Sequence, residues 1–174
     1  MTARNPDLSI RYIIVGYGPE EPRIRSLINS LGLNEKVDLI INPPNVRDYL
    51  KGSGIYLSTS LFEGLSNSLM EAMVESLPIV ATDVGDNSFL VRDGHNGYLL
   101  PVKDVKQIAI KLETLVKSAE LRHTFGVNSY ALIKEGFNEE KLLSGYLKLI
   151  GQYTVKLPQK QVPANEKTYT YTGL

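Results

Sequence analysis

Residues 10–41 carry the stretch that decides the fold, IRYIIVGYGPEEPRIRSLINSLGLNEKVDLII. It opens with a short apolar run, Ile10 to Val15, which is typical of a buried strand and ends at the turn residues Gly16-Tyr17-Gly18-Pro19. Apolar residues then recur at helical spacing until Gly32 ends the pattern; they are Ile24, Leu27, Ile28 and Leu31. A second apolar run, Val37 to Ile41, predicts another strand. The stretch is therefore a strand, turn, helix and strand in succession.

The same alternation continues toward the C-terminus. Strands are predicted at 55–58, 78–82 and 98–100, and helices at about 46–50, 66–76, 89–91, 105–116, 119–134 and 138–150. Asp104 is the predicted cap of the helix that follows it. Strands separated by helices need crossover connections, whose right-handed sense gives a parallel sheet with helices on both faces. The predicted fold class is α/β, a doubly wound, Rossmann-like parallel sheet followed by C-terminal helices.

The periodicity ends near residue 150, which we predict as the end of a single domain spanning 1–150. From Gly151 onward, prolines stand among polar residues, so 151–174 is predicted to be an extended tail. Within it, residues 167–172 read KTYTYT and alternate with period two. This segment either adds to a sheet as an edge strand or is disordered.

Composition limits the functional classes. With 174 residues, 43% of them apolar and 22% charged, the chain is an ordinary soluble globular protein. Lysine plus arginine equal aspartate plus glutamate at 19 each, so no basic excess favours nucleic acid as a partner. The absence of cysteine excludes disulfides and thiol nucleophiles. No apolar run approaches the roughly 18–20 residues that span a bilayer, and we expect a cytoplasmic protein.

The sequence EGLSNSLME, at residues 63–71, is the best candidate for chemistry. It places Glu63 in a loop beyond the carboxyl end of a strand, where open α/β sheets bind ligands. Gly64 lets a ligand approach the backbone, and the unpaired amides of Leu65 to Ser68 form the positive end of a helix dipole, which suits phosphate. Glu71 lies about one turn into the helix. A carboxylate there suits the adjacent hydroxyls of a ribose.

The same residues have a purely structural interpretation. Ser68 to Glu71 fits the capping-box pattern S-x-x-E, in which Glu71 only caps its helix. Glu63 is equally compatible with a solvated loop acid. The spacing alone leaves the two interpretations open.

Other candidate motifs are weaker. The third glycine of a dinucleotide fingerprint that starts at Gly16 would be Glu21, which argues against a nicotinamide or flavin site. His95 and His123 have no carboxylate at metal-ligand or triad spacing, so both are predicted to be structural.

Four blocks of sequence resemble, in order, the C-terminal donor-binding domain of the family 4 retaining glycosyltransferases, the group 1 enzymes of the GT-B fold. They are IIVGYGPE at 13–20, EGLSNSLMEAM at 63–73, LPIVATDVG at 77–85 and DGHNGYL at 93–99. The resemblance covers about residues 10–118. It implies an enzyme that transfers a sugar, with retention, from a nucleotide-diphosphate donor to a polysaccharide or glycoconjugate acceptor.

The resemblance also implies roles for individual residues. Glu71 would hold the ribose, and Glu63, the catalytic candidate, would contact the donor sugar near the reacting centre. Ile41 and Asn42 would face the nucleobase. The other implied donor-binding positions are Gly16, Gly18, Gly64, Leu65, Ser66, Asn67 and Ser68. The family needs no metal and no cofactor, and the chain carries no D-x-D motif.

The chain departs from the family in three respects. Thr59-Ser60 stands where members commonly have Pro-Ser, and Phe89 where they commonly have glutamate. The match begins at the family's second strand, so the preceding strand and helix, with a cationic diphosphate clamp, and the acceptor-binding N-terminal domain are expected upstream. We therefore expect a gap in the sheet, an isolated chain without activity, and the segment 168–172 as a hypothetical filler of the gap.

The alternative is a non-catalytic nucleotide or nucleotide-sugar binding module, or a subunit that needs a second chain for activity. A GT-B epimerase is disfavoured by the two glutamates of residues 63–71. Expected partners are the sugar nucleotide and, through the missing domain, a glycan or lipid-linked glycan acceptor. Exposed apolar surface predicts self-association. The full-length enzyme is expected to be cytoplasmic and peripheral to the inner face of the membrane.

Overall fold

The computed structural model describes residues 10–137 together with residues 141, 143, 144, 147 and 148. The elements alternate along the chain: β1 (Tyr12–Gly16), α1 (Glu21–Ser30), β2 (Val37–Ile41), α2 (Arg47–Lys51), β3 (Tyr56–Ser58), α3 (Asn67–Val74), β4 (Ile79–Thr82), α4 (Asn87–Leu90), β5 (Gly97–Leu100), α5 (Val105–Lys117) and α6 (Ala119–Gly136). Each lies within about two residues of its predicted position. Most of the predicted helix 138–150, and the whole predicted tail 151–174, lie outside the described residues.

All strand pairs in the described residues are parallel, and they form two sheets. One sheet contains β1 and β2, with Tyr12 opposite Val37 and Gly16 opposite Ile41. The other has the order β3-β4-β5, with Tyr56 opposite Ile79. The predicted class, a parallel α/β arrangement, is confirmed. No ladder in the described part joins β1 to β3, so the described strands show a break between these two strands, where a gap was expected.

The hydrophobic core surrounds the three-stranded sheet. Its central strand β4 is buried at every position, and alternate residues face opposite sides. Ile79 and Ala81 belong to a cluster with Leu69 and Met73 of α3, whereas Val80 packs in a second cluster with Leu115 of α5. Helices thus cover both faces of this sheet, as a doubly wound architecture requires.

Two short-range features hold this region together. Asp104 caps α5, as predicted, because its Oδ1 accepts a hydrogen bond of 3.0 Å from the amide of Gln107. Gly97 lets β5 pack against β4, since a Cβ on this residue would lie 2.1 Å from the carbonyl oxygen of Ile79. The compact unit that contains both sheets ends at Gly136.

The two-stranded sheet is packed much less tightly. No residue from 10 to 49 is buried, and Leu50 is the first buried position along the described chain. Helix α1 buries none of its residues, and its apolar Leu27 is 56% exposed. The first third of the described chain has regular secondary structure without a core of its own.

Candidate active site

Glu63 lies in the loop between β3 and α3, where a hydrogen-bond chain from the next strand holds it. Ser60 Oγ donates to Glu63 Oε1 at 2.7 Å. The main-chain oxygen of Ser60 accepts from Thr82 Oγ1, also at 2.7 Å, and Thr82 is buried at the end of β4. This chain fixes the carboxylate of Glu63 at the carboxyl edge of the three-stranded sheet.

A close approach of two loops braces the same site. Gly85 has φ of +53°, and a Cβ there would lie 2.1 Å from the carbonyl oxygen of Glu63. The amide of Asp86 also donates to the carbonyl oxygen of Gly64, at 3.4 Å. Only glycine combines this backbone conformation with this contact. In contrast, nothing lies within 4 Å of a Cβ built on Gly64, so the backbone there is open to a ligand, as the sequence suggested.

The N-terminus of α3 lies next to Glu63 and has no side-chain cap. Its N-cap residue is Ser66, which is extended and makes no capping hydrogen bond. Ser68 lies within the helix, and its Oγ accepts from the Tyr56 hydroxyl at 2.8 Å. The capping box of Ser68 and Glu71 is therefore wrong. The amides of the first turn remain free of a side-chain acceptor, which makes them available to an anion.

Glu71 lies on the second turn of α3, and its exposed carboxylate makes no hydrogen bond or ion pair with another described residue. It faces an open cavity of about 400 Å³. The other residues that line the cavity are Pro44, Asn45, Val46, Arg47 and Val74. Arg47 is ion-paired with Glu75, the C-cap residue that follows α3. A carboxylate with no protein partner, beside a cavity, is free to accept hydrogen bonds from a ligand.

Tyr56 connects the two glutamates electrostatically. Burial raises the pKa of its hydroxyl, the hydrogen bond with Ser68 lowers it, and the negative charges of Glu63 and Glu71 raise it further. The hydroxyl is thus within electrostatic range of both carboxylates. Along the chain, Glu63 precedes α3 and Glu71 lies on its second turn.

The remaining predicted residues lie on the two-stranded sheet. Gly16 ends β1 and is followed by Gly18, and Ile41 ends β2 and is followed by Asn42. Because the strands are parallel, both pairs lie at one edge of that sheet. Asn42 has φ of +46°, a conformation that asparagine tolerates better than most residues. Neither Ile41 nor Asn42 lines the cavity beside Glu71, where Pro44 to Arg47 do so instead.

Four residues of the site were not predicted from the sequence: Arg47, Tyr56, Ser60 and Thr82. Ser60 stands three residues before Glu63, a spacing that could have suggested the hydrogen bond. The other departure from the family, Phe89, is 76% exposed on α4. Nothing local to Arg47 marks it, because its position in the cavity depends on how α2 packs near α3.

The described residues contain no group of three histidine, aspartate or glutamate side chains that could hold a metal ion. His95 has a structural contact, since Asn128 Nδ2 donates to its main-chain oxygen at 2.7 Å. None of the helices described is long and apolar enough to cross a membrane.

Comparison with known proteins places this arrangement in a family. Residues 3–132 match the family described as Glycosyl transferases group 1. The chain belongs to the group 1 glycosyltransferases. The family resemblance and the GT-B assignment from the sequence are confirmed.

Two curated relatives show how much of such an enzyme is present. The N-acetyl-alpha-D-glucosaminyl L-malate synthase of Bacillus anthracis is 30% identical over 140 residues, which are 80% of this chain and 37% of that protein. The poly(ribitol-phosphate) alpha-N-acetylglucosaminyltransferase of Staphylococcus aureus is 30% identical over 145 residues, or 82% of this chain and 29% of that protein. The chain spans about a third of the length of these relatives.

Solved structures agree with the fold. Staphylococcus aureus TarM, in a complex with fondaparinux, alpha-GlcNAc-glycerol and UDP, superposes with a TM-score of 0.78 at 28% identity, over 85% of this chain and 30% of that one. Anabaena HepE in complex with UDP gives a TM-score of 0.75 at 21% identity, over 82% of this chain and 41% of that one. The second match supports the fold alone.

Proposed function

We propose that this chain is the donor-binding part of a retaining glycosyltransferase that uses a nucleotide-diphosphate sugar. In this proposal Glu71 accepts hydrogen bonds from the ribose hydroxyls, and the first-turn amides of α3 bind the diphosphate. Glu63 contacts the sugar. The nucleobase lies over the loop that follows β2, in the cavity lined by Pro44 to Arg47. The acceptor is a glycan or a lipid-linked glycan bound by a part of the enzyme outside these residues.

The observation that carries the proposal is the free carboxylate of Glu71 beside this cavity. A carboxylate that served only its own helix would be bonded to the first-turn amides, and Glu71 is not. The uncapped N-terminus of α3 supplies the second requirement, a binding site for the negatively charged diphosphate. It lies between Glu63 and Glu71 along the chain. A nucleotide-diphosphate sugar presents the matching groups in the same order, which are base, ribose, diphosphate and sugar.

The proposed chemistry uses these groups as follows. The bond between the anomeric carbon and the diphosphate oxygen breaks, and the diphosphate leaves with the electron pair. The α3 amides stabilise the negative charge that develops on it. Glu63, held by Ser60, orients the sugar and stabilises positive charge at the anomeric carbon. The acceptor hydroxyl forms its bond on the face that the diphosphate left, and its proton passes to the diphosphate oxygen that has just been released.

The direct test is calorimetric titration of the chain with UDP, GDP, UDP-N-acetylglucosamine and GDP-mannose. UDP comes first because the TarM structure contains it. Glu71→Gln keeps the size of the side chain but loses the charge, and we expect affinity to fall about tenfold. The matched control is Glu120→Gln, an exposed glutamate in the first turn of α6. Equal affinity for wild type and Glu71→Gln would refute the ribose role.

The competing proposal is a binding module that never catalyses sugar transfer. The two proposals differ in whether the donor is turned over. The isolated chain is expected to bind the donor without releasing UDP from it, because the acceptor-binding part and the diphosphate clamp are expected elsewhere. An assay for released UDP, with the chain saturated by donor, measures this. Sustained release that Glu63→Gln abolishes would show that these 174 residues are sufficient for catalysis.

A further inference from the structure

A second glutamate follows Glu71 at a distance of one helical turn. It is Glu75, the C-cap residue after α3, whose amide donates to the carbonyl oxygen of Glu71 at 3.2 Å. Residues four positions apart lie on the same face of a helix, with about 5–6 Å between their Cβ atoms. The two carboxylates are therefore neighbours, and their like charges repel each other.

The two carboxylates have different surroundings. The Glu75 side chain is only 13% exposed and is ion-paired with Arg47, whereas Glu71 is exposed and has no partner among the described residues. Glu75 also lies at the C-terminus of α3, where the helix dipole disfavours negative charge. A largely buried carboxylate in such a position needs a cationic partner. Arg47 is that partner.

Arg47 lies within reach of both glutamates. It is the first residue of α2, and its amide donates to Asn45 Oδ1 at 3.2 Å, which holds the start of this helix. Arg47 and Glu71 are the charged residues among those that line the cavity of about 400 Å³. Because Arg47 contacts Glu75, one turn away from Glu71, a change of side-chain rotamer is enough to move the guanidinium from one carboxylate to the other.

We propose that Glu75 is a positioning residue of the donor site, which holds Arg47 away from Glu71 and so keeps the Glu71 carboxylate available to the ribose. This inference rests on the proposed ribose role of Glu71 and extends it to a residue that does not itself contact the donor. Without the charge of Glu75, Arg47 pairs with Glu71 and competes with the ribose hydroxyls for the same oxygen atoms. Glu75 keeps the arginine because the more buried carboxylate loses more free energy when it is unpaired.

The alternative is that the pair of Arg47 and Glu75 only joins α2 to α3. Arg47 is 59% exposed, and ion pairs with exposed groups contribute little to stability. Uncharged side chains at both positions would avoid the repulsion within α3 and the unfavourable interaction with its dipole. The pair is therefore better explained by its effect on Glu71 than by its effect on stability.

Calorimetric titration of the whole chain with UDP tests the proposal through Glu75→Gln, alone and together with Arg47→Gln. In the wild-type background, Glu75→Gln should weaken UDP binding about threefold to fivefold, the range that competition from an exposed ion pair allows. In the Arg47→Gln background, the same substitution should leave the affinity of that background unchanged, because no arginine is left to occupy Glu71. The direction is diagnostic, since removal of a negative charge alone would strengthen the binding of an anion. Tighter binding, or an equal loss in both backgrounds, would overturn the proposal.

A second ligand confines the effect to the ribose. In 2′,3′-dideoxy-UDP the hydroxyls that Glu71 is proposed to bind are absent, so Glu75→Gln should not change the affinity for it. The matched control is Glu21→Gln, which breaks the ion pair of Glu21 with Arg25 on α1 and should not change the affinity for either ligand. Glu75→Gln acts elsewhere than on the ribose, and the proposal fails, if UDP and the dideoxy ligand lose affinity equally.

A spectroscopic measurement separates this inference from the proposed function. The carbon-13 NMR signal of the Glu71 carboxylate, assigned by its absence in Glu71→Gln, reports pairing without any nucleotide. It should shift in Glu75→Gln, and the same substitution should move it much less in the Arg47→Gln background. An unmoved signal in ligand-free Glu75→Gln overturns the proposal. If the signal shifts but Glu71→Gln binds UDP as tightly as the wild type, Arg47 does change partner, and the ribose role of Glu71 is refuted together with the role of Glu75.

Discussion

The two sheets of this chain differ in packing far more than in secondary structure. Strands β1 and β2 are five residues each and fully paired with each other, whereas β3 has three residues. Yet the described chain up to residue 49 buries no side chain, and the region around β4 contains the whole described hydrophobic core. Hydrogen bonding between strands alone therefore does not bury the side chains of a segment. In this chain, side chains are buried where helices cover both faces of β4.

This difference divides the candidate site. Glu63, Glu71 and the N-terminus of α3 belong to the well-packed region, and the loops after β1 and β2 belong to the other. We expect the groups proposed to bind ribose, diphosphate and sugar to be rigid before any ligand binds. The loop after β2, which is proposed to face the nucleobase, is expected to open locally more often.

The largest expected effect compares one leucine from each region. Leu115 on α5 is fully buried, so Leu115→Ala should cost about 2–5 kcal/mol in the free energy of unfolding. Leu27 on α1 is 56% exposed, and Leu27→Ala should cost less than about 1 kcal/mol. Urea unfolding followed by circular dichroism measures both. Equal losses would mean that α1 packs in solution as tightly as α5.

A pair of glycines sharpens the comparison at the strands. Gly97→Ala would push a Cβ into the carbonyl oxygen of Ile79 and should cost about 3 kcal/mol. Gly16→Ala meets nothing within 4 Å and should leave the unfolding midpoint unchanged. Thermal unfolding of the two variants and of the wild type, compared by their midpoint temperatures, tests this prediction. A destabilised Gly16→Ala would show that another element already lies against the end of β1.

Loss of a polar contact should also lower the free energy of unfolding more in the region around β4 than in the two-stranded sheet, but by a smaller amount. The side chain of Asn96 is buried, donates to the carbonyl oxygen of Leu90 and accepts from the amide of Arg92. Asn96→Ala leaves these groups unpaired and should cost about 2 kcal/mol. Arg11→Ala breaks the exposed ion pair with Asp38 in the other region and should be neutral. Denaturant midpoints that rank the two variants in the opposite order would contradict this assignment.

The smallest expected effect concerns the donor. Ser60→Ala removes the hydrogen bond to Glu63, and affinity for a nucleotide sugar should fall about threefold while affinity for the free nucleotide stays constant. The sugar-dependent difference separates a role at Glu63 from general damage to the fold. The measurement is calorimetry with UDP and one UDP-sugar, and an equal loss for both ligands would place Ser60 outside the sugar site.

Local patterns were sufficient to predict the elements of the fold. The helical spacing of Ile24, Leu27 and Ile28 predicts α1, and the apolar run of Val37 to Ile41 predicts β2 at its observed bounds. Such periodicities are properties of a single segment. The division into two sheets depends on which strand edges meet. It was foreseen only through the family resemblance, which places a strand upstream of these residues.

Prediction of the candidate site was likewise limited to contacts between residues that are close in sequence. The two glutamates of residues 63–71 were identified because they lie close together in sequence across a strand and helix junction. The support of Glu63 by Thr82 was missed, since 22 positions along the chain separate Ser60 from Thr82. The capping box failed for a related reason: Ser68 lies within α3, and its hydroxyl accepts a hydrogen bond from Tyr56 on strand β3.

The contact of Gly85 with the carbonyl oxygen of Glu63 has a thermodynamic consequence for the donor. Two loops held in van der Waals contact have few alternative conformations, so the protein has little conformational entropy left to lose there when a ligand binds. Most of the unfavourable ordering must then come from the ligand, a flexible diphosphate ester. The affinity of this site should therefore depend mainly on how rigid the donor is.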